Sequence, residues 1–304
     1  ASAADRIQAN FIRVFLPTNS LIRVNNNQFN QTLNINPGTV WYNAKGLKKQ
    51  LAKWSSQTAI RMERKTTDLS LIQFINPFMF NVADSQLISN AAIIRNTLFF
   101  NRSDPKFGFD LTQSDSRSKN FLTNGFDSRI RQEQGANFRW NFTADWGFTL
   151  TYLQGVRTFT SDFFTTNSYR YTFTELKPKV IWQTSQQLRI TALVGWFNGE
   201  TPAELGKIIG ENLEYGGEFR YAWAKTGIIN ARYSYYNISF NGDIASPLGY
   251  DMMQGLTSGI NQLWNINIQQ RVGGNIQITF NYDGRKSENQ NTIHIGRVEA
   301  RYLF

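Results

Sequence analysis

Apolar and polar residues in this chain alternate one for one over long runs, and few folds tolerate that pattern. From Asn275 to Asp283, Ile276, Ile278, Phe280 and Tyr282 form one set; Asn275, Gln277, Thr279, Asn281 and Asp283 form the other. Trp264, Ile266 and Ile268 alternate with Asn265, Asn267 and Gln269. Leu213, Tyr215, Phe219, Tyr221 and Trp223 oppose Glu214, Glu218 and Arg220. Phe138, Trp140, Phe142 and Trp146 oppose Asn137, Arg139, Asn141, Thr143 and Asp145, and Leu188, Ile190, Val194 and Trp196 share one register. A period of two means strands with two unlike faces. The runs last about 9–11 residues, the length a tilted strand needs to cross a bilayer; strands of soluble proteins average about 5–6.

Tight turns separate the runs: Asp145-Trp146-Gly147, Thr184-Ser185-Gln186, Lys225-Thr226-Gly227 and Val272-Gly273-Gly274. Ser103-Asp104-Pro105 continues the series backwards, and Thr66-Thr67-Asp68 is read as one more member. Longer connections rich in Gly, Asn, Ser and Pro fall near 157–169, 198–212, 241–259 and 284–291. Short turns on one side and long loops on the other is the asymmetry of outer-membrane barrels. Where Tyr233 and Tyr235 give way to Tyr236, Ile238 and Phe240, the reading is a bulge that shifts the outward face; the change from Tyr169, Tyr171 and Phe173 to Leu176, Val180 and Trp182 is read likewise. Earlier strands are placed at 7–15, 29–35, 54–64 and 91–101, and 203–210 is read as a helical turn. The apolar segment Phe74–Phe80, with Pro77, is either a loop folded into the lumen or against a partner, or a buried strand.

Composition narrows the choice. The 24 Phe, 12 Tyr and 8 Trp exclude a disordered chain. No stretch approaches the roughly 18–20 apolar residues of a spanning helix. The absence of Cys excludes disulfides and thiolate metal sites, and one His leaves little room for imidazole chemistry. The net charge of +10 suggests nucleic acid at first. In Arg170-Tyr171, Arg220-Tyr221 and Arg232-Tyr233, however, a strand sends neighbours to opposite faces, so they form no shared platform. The surplus charge is assigned to lipid phosphates or to the lumen.

Lipid rather than a dry core is expected against the apolar face. Asn, Gln, Arg and Glu on the opposite face suit a wet lumen, and Trp146, Trp182, Trp223, Trp264 and Tyr302 fit an interfacial girdle. The expected fold is an all-β, transmembrane, antiparallel up-and-down barrel of about 14 strands, with short periplasmic turns and longer extracellular loops. Residues 1–304 are read as one such domain. The start at Ala1 points to a processed chain or to the C-terminal part of a longer one.

Val298, Ala300, Tyr302 and Phe304 alternate with Arg297, Glu299 and Arg301 up to the terminal aromatic. This ending resembles the C-terminal assembly signal of outer-membrane barrels, which implies the barrel-assembly machinery as a partner. Gly249-Tyr250-Asp251-Met252-Met253-Gln254-Gly255-Leu256, then Gly284-Arg285-Lys286-Ser287, then His294, together resemble the C-terminal barrel of large outer-membrane proteins of Bacteroidota. That resemblance implies a bacterial outer-membrane location and an N-terminal extracytoplasmic region, but no substrate.

Arg139, Arg220, Arg232, Arg297 and Arg301, with Glu218 and Glu299, fall on lumen positions. They form either a charged constriction favouring anions or a neutralised ladder of ion pairs. On the lipid face each Arg would cost about 2–4 kcal/mol. His294 should face outward near the rim of the last strand, without a Ser or Asp partner. Asp110, Asp115 and Asp127 lie in a Ser/Asn-rich stretch whose carboxylates suit Ca²⁺ at a loop but lack fixed ligand spacing; it is read as a solvated loop. No metal, cofactor or catalytic residue is expected. The functional expectation is a porin-like channel or translocation component with a polar lumen and no enzymatic activity. The second reading is a plugged or narrow barrel serving as an anchor or accessory subunit of an envelope complex. Expected partners are outer-membrane lipid and lipopolysaccharide and other envelope proteins, with no nucleic acid.

Overall fold

A computed structural model describes residues 24–41, 45–67, 87–223, 226–273, 275–288 and 290–302. Thirteen strands lie among them, against the expected fourteen or so: β1 (Asn25–Ile35), β2 (Trp54–Thr66), β3 (Leu87–Phe100), β4 (Phe107–Leu122), β5 (Gly125–Asn141), β6 (Trp146–Ser161), β7 (Tyr169–Trp182), β8 (Leu188–Glu200), β9 (Ile209–Trp223), β10 (Gly227–Phe240), β11 (Gly259–Val272), β12 (Ile276–Ser287) and β13 (Ile293–Tyr302). Each pairs antiparallel with its neighbour in sequence, in one up-and-down sheet. Helices are short: α1 (Pro37–Val40), α2 (Leu47–Leu51) and α3 (Pro247–Met252). The strand expected at 7–15 and the segment Phe74–Phe80 lie outside the described residues.

On β8 the alternation becomes a difference in exposure. Ile190, Val194 and Trp196 are exposed, whereas Thr191, Leu193 and Phe197 are 2%, 9% and 3% exposed. The register carries this parity around the sheet. The exposed outer face collects Phe109, Phe138, Leu150, Val180, Val194, Phe219, Ile278 and Val298. A soluble sandwich would bury these side chains; here they face outward, as lipid requires. The polar parity lies on the inner face.

One cross-strand row of polar residues interrupts the outer apolar surface on β2 to β10. Thr58, Asn96, Gln113, Gln134, Gln154, Thr174, Asn198, Glu211 and Ser239 are register partners in succession, all on the outer face and all polar. The next row towards the short turns holds Leu98, Leu111, Ala136, Tyr152, Leu176, Trp196 and Leu213. On β8 the apolar parity runs from Leu188 to Trp196. At ~3.3 Å per residue and a tilt near 45° that spans roughly 20 Å, close to a barrel's apolar band of about 25 Å. Beyond the row, polar side chains pair on the outer wall of β4 to β6, with Ile60, Ile94 and Ile130 on the same face. Arg117 donates twice to Asp115 (2.8 Å each), Gln132 donates to Asp115, and Gln154 donates to Gln134.

The loops differ from expectation in three places. Thr66 ends β2 at the opposite end of the sheet from Ser103-Asp104-Pro105, so it is no member of the short-turn series; that place is taken by residues 36–53. Asp110 and Asp115 stand on β4 and Asp127 on β5, which a two-residue turn at 123–124 joins. This stretch is a hairpin rather than a loop. Its Ser and Asn lower strand propensity locally, but pairing along its whole length with β3 and β6 overrides that. The parity switches are not bulges either. The β6–β7 and β9–β10 registers run without a shift, so Tyr169, Tyr171, Phe173, Tyr236, Ile238 and Phe240 turn inward, where something apolar must cover them. The helical turn at 203–210 is a 3-10 turn at Ala203–Leu205.

Candidate functional site

The inward apolar residues gather beneath the connection between β10 and β11. Ser246 caps α3 by accepting from the Gly249 N–H (3.0 Å), and Pro247 sits in the first turn, where its missing N–H costs nothing. The helix buries Leu248 and Met252 against Tyr171, Phe173 and Phe197, with Leu153, Tyr169, Ile208 and Phe240 at the edge. The loop root is tied by Asn261, fully buried, which accepts from Ser287 Oγ (2.8 Å) and Thr257 Oγ1 (2.9 Å) and donates to the Thr257 carbonyl. The segment thus lies against the inner face of the wall rather than standing in solvent.

Asp251 fixes it there. Its carboxylate accepts from Tyr171 (2.8 Å) and Tyr169 (3.2 Å) on β7 and lies 3.6 Å from the Arg157 guanidinium on β6. Arg157 also meets Glu133 on β5 (3.5 Å), donates to Tyr171 and stacks over the Phe173 ring (4.4 Å). One loop carboxylate therefore binds two strands directly, β7 and β6, and reaches β5 through Arg157; charge-assisted bonds of this kind are worth about 1.5–3 kcal/mol each when sheltered. None of Asp251, Arg157, Glu133 and Tyr171 stands out in the sequence as a site, because only the long-range register brings them together. The one available signal was inward-parity aromatics at the loop ends of β7 and β10, which needed a partner.

Closer to the short turns, a second polar cluster lines the inner face. Glu214, with 9% of its side chain exposed, accepts from Tyr236 (2.8 Å) and meets Arg232 (3.8 Å) and Lys177 (3.9 Å); Lys177 also pairs with Glu175. Arg232 reaches Glu218 at 4.0 Å, and Arg301 pairs with Glu299 at 2.5 Å. Arg139 donates to the Asp104 carbonyl (2.6 Å) and so ties β5 to the turn before β4. The proposed lumen residues Arg139, Arg220, Arg232, Arg297, Arg301, Glu218 and Glu299 all share the inner parity. They are not gathered into one cluster. Arg232, Arg301 and the glutamates are in ion pairs, Arg139 serves a turn, and Arg220 and Arg297 have no carboxylate within ion-pair reach among the described residues. Arg220 lies directly across from Arg189 on β8, a like-charge pairing that is unfavourable on a sheet.

On the outer face Trp146 and Trp182 meet ring to ring (6.0 Å), Trp146 stacks on Phe142, and Trp223 and Tyr302 end their strands at the same turn side. Trp54 and Trp140 belong to this girdle and were missed: Trp54 packs on Phe100 and Phe109, and Trp140 on Phe142. Trp264, also on the outer face, stands apart from this turn-side group. It lies towards the loop end of β11, over Gly284 and beside His294, whose Nδ1 is 2.8 Å from the Tyr282 hydroxyl. A Cβ at position 284 would collide with the indole, so glycine is required there. His294 points outward with Val298, Ala300 and Tyr302; Phe304 lies outside the described residues. Asp110 and Asp127 face inward and Asp115 outward, so the three do not converge. No group of potential metal ligands occurs among the described residues.

No family model and no curated protein matches the chain. Solved structures do. The ferric yersiniabactin uptake receptor FyuA of Yersinia pestis superposes with a TM-score of 0.51 at 8% identity, covering 92% of this chain and 51% of the receptor. The outer membrane transporter YddB of Escherichia coli gives 0.43 at 12% identity, with 90% and 50% covered. The translocator domain of the autotransporter NalP of Neisseria meningitidis gives 0.32 at 11%, with 99% and 96% covered. The chain spans about half the length of FyuA and of YddB. Its fold is that of an outer-membrane β-barrel.

Proposed function

We propose that this protein resides in the bacterial outer membrane and acts as a channel or translocation component whose lumen is narrowed by the loop 241–258. The distribution of charge between the faces carries this reading. Arg95, Arg129, Arg131, Lys179, Arg189, Arg271 and Arg285 join the lumen arginines on the inner face, where cations outnumber carboxylates. A wall of this kind is costly unless water fills the space beside it, and it favours anions. The short turns would face the periplasm and the loop end the outside. Val298, Ala300 and Tyr302 would present the outer edge read by the barrel-assembly machinery, and Arg117, Lys119 and Arg170, just beyond the polar row, would meet lipopolysaccharide phosphates. The likeness of the 249–256 segment to Bacteroidota outer-membrane proteins fits this assignment.

The packing of α3 favours a second reading, a plugged barrel that serves as an anchor or accessory subunit of an envelope complex. Conductance separates the two. Planar bilayers containing the purified protein should show discrete, anion-selective current steps. A silent protein that gains steps only when residues 243–256 are replaced by a short Gly/Ser linker would be a plug. Silence in both forms would contradict the channel reading.

A further inference from the structure

The inner wall is not uniformly polar. On β13, Ile293 and Ile295 share the inner parity with Arg297 and Glu299 yet are 53% and 60% exposed. They flank a hollow of about 470 Å³ whose floor includes Leu263 and Asp283 and whose opposite side is formed by Arg232. Arg285 stands in the same hollow, opposite Leu263 on one side and Ile293 on the other. No carboxylate among the described residues lies within ion-pair reach of Arg285, although Asp283 is only two residues away on the same face. Asp283 is engaged by Asn265 Nδ2 (2.6 Å). Arg232 leans towards Glu214 and Glu218 on β9, at the limit of ion pairing. The hollow therefore offers, among the described residues, one guanidinium without a carboxylate partner next to two isoleucines left exposed.

We propose that this hollow binds a small organic anion with an apolar body, such as an aryl or acyl carboxylate. Arg285 would hold the carboxylate through its planar fork of donors, and Ile293, Ile295 and Leu263 would shelter the body. Contacts to both ends explain a feature that passage of water and small ions does not require: paired isoleucines on a wetted wall, within a volume typical of small-molecule sites. A simple inorganic anion would use only the arginine, and a neutral apolar solute only the isoleucines. The inference rests on the inner face being wetted, as in the functional reading above, but not on the protein conducting.

Calorimetric titration of the protein in zwitterionic nanodiscs with 3-phenylpropanoate tests it, with protein-free nanodiscs as the blank for partitioning. Saturable one-site binding is expected, weakened at least tenfold by Arg285→Gln and, separately, by the double substitution Ile293→Asn, Ile295→Asn. Propanoate and 3-phenylpropanol should each bind at least tenfold more weakly than 3-phenylpropanoate. Arg297→Gln, an inner-face arginine outside the hollow, should leave binding unchanged. No saturable heat, equal loss with Arg297→Gln, or binding that survives Arg285→Gln would each overturn the proposal. Conductance of the same samples, measured separately, reports on the channel reading, so the two can fail independently.

Discussion

The Asp251 carboxylate accepts a hydrogen bond from the Tyr171 hydroxyl at 2.8 Å, joining the loop after β10 to a strand three places away in the sheet. Tyr171 is fully buried and Met252, next in sequence to Asp251, is 1% exposed. Polar anchor and apolar cover act together to hold the loop across the inner face.

Replacing Asp251 by Ala removes the acceptor for two tyrosines and leaves Glu133 as the one carboxylate on Arg157 among the described residues. The loop should lose about 2–4 kcal/mol of local stability, since buried donors are left unmatched. Limited proteolysis should then cut within 241–258 at protease concentrations that leave the unaltered protein intact, while urea unfolding of the barrel shifts little. Tyr171→Phe should produce a smaller effect in the same direction.

Glu214 holds Tyr236, Arg232 and Lys177 together. Glu214→Gln leaves the two cations without this carboxylate, and the inner surface gains one positive charge. In a tenfold KCl gradient the reversal potential should move towards the chloride value. Arg220→Glu, which relieves the opposition to Arg189 and reverses one charge, should move it the other way. Equal reversal potentials in all three proteins would show that these residues do not line the conducting path.

Leu176 and Thr174 lie on the outer face of β7, on either side of the polar boundary. Leu176→Arg should destabilise the barrel in lipid by roughly 2–4 kcal/mol, and Thr174→Arg by about 0–1 kcal/mol. The difference is read from urea midpoints in vesicles. Equal costs would displace the boundary from where the register puts it.

Gly284→Val places a side chain in the space occupied by the Trp264 indole and should cost about 1–3 kcal/mol through overpacking. Trp264→Ala alone should cost a similar amount. The double variant should be more stable than the sum of the single losses predicts, because the collision disappears.

The strand pattern and the sign of each face on β8, β9, β11 and β12 were legible in the sequence, because lipid on one side and water on the other force a period of two. Legibility failed where the outer environment changed along a strand. Tyr236, Ile238 and Phe240 read as outward only if every apolar residue is assumed to meet lipid; here α3 supplies a second apolar surface inside for Phe240, and Tyr236 turns inward to donate to Glu214. From sequence the β4–β5 hairpin reads as a loop because Asp115, Arg117, Lys119, Ser128 and Gln132 break the apolar run of its outer face beyond the row through Gln113 and Gln134. Arg157, Glu133 and Asp251 could not be connected from sequence, since no local spacing records which strands a loop will cross.

The central claim is the orientation of the two faces, and β8 tests it most directly. The chain has no cysteine, so single cysteines at each position from 189 to 196 can carry a nitroxide label in lipid vesicles. The account predicts that labels at 190, 192, 194 and 196 are accessible to oxygen dissolved in the hydrocarbon. Labels at 189, 191, 193 and 195 should be less so, with a water-soluble nickel complex reaching those not covered by the loop. The opposite phase, or oxygen exclusion at 190, 192, 194 and 196 because they sit in a dry core, would contradict it.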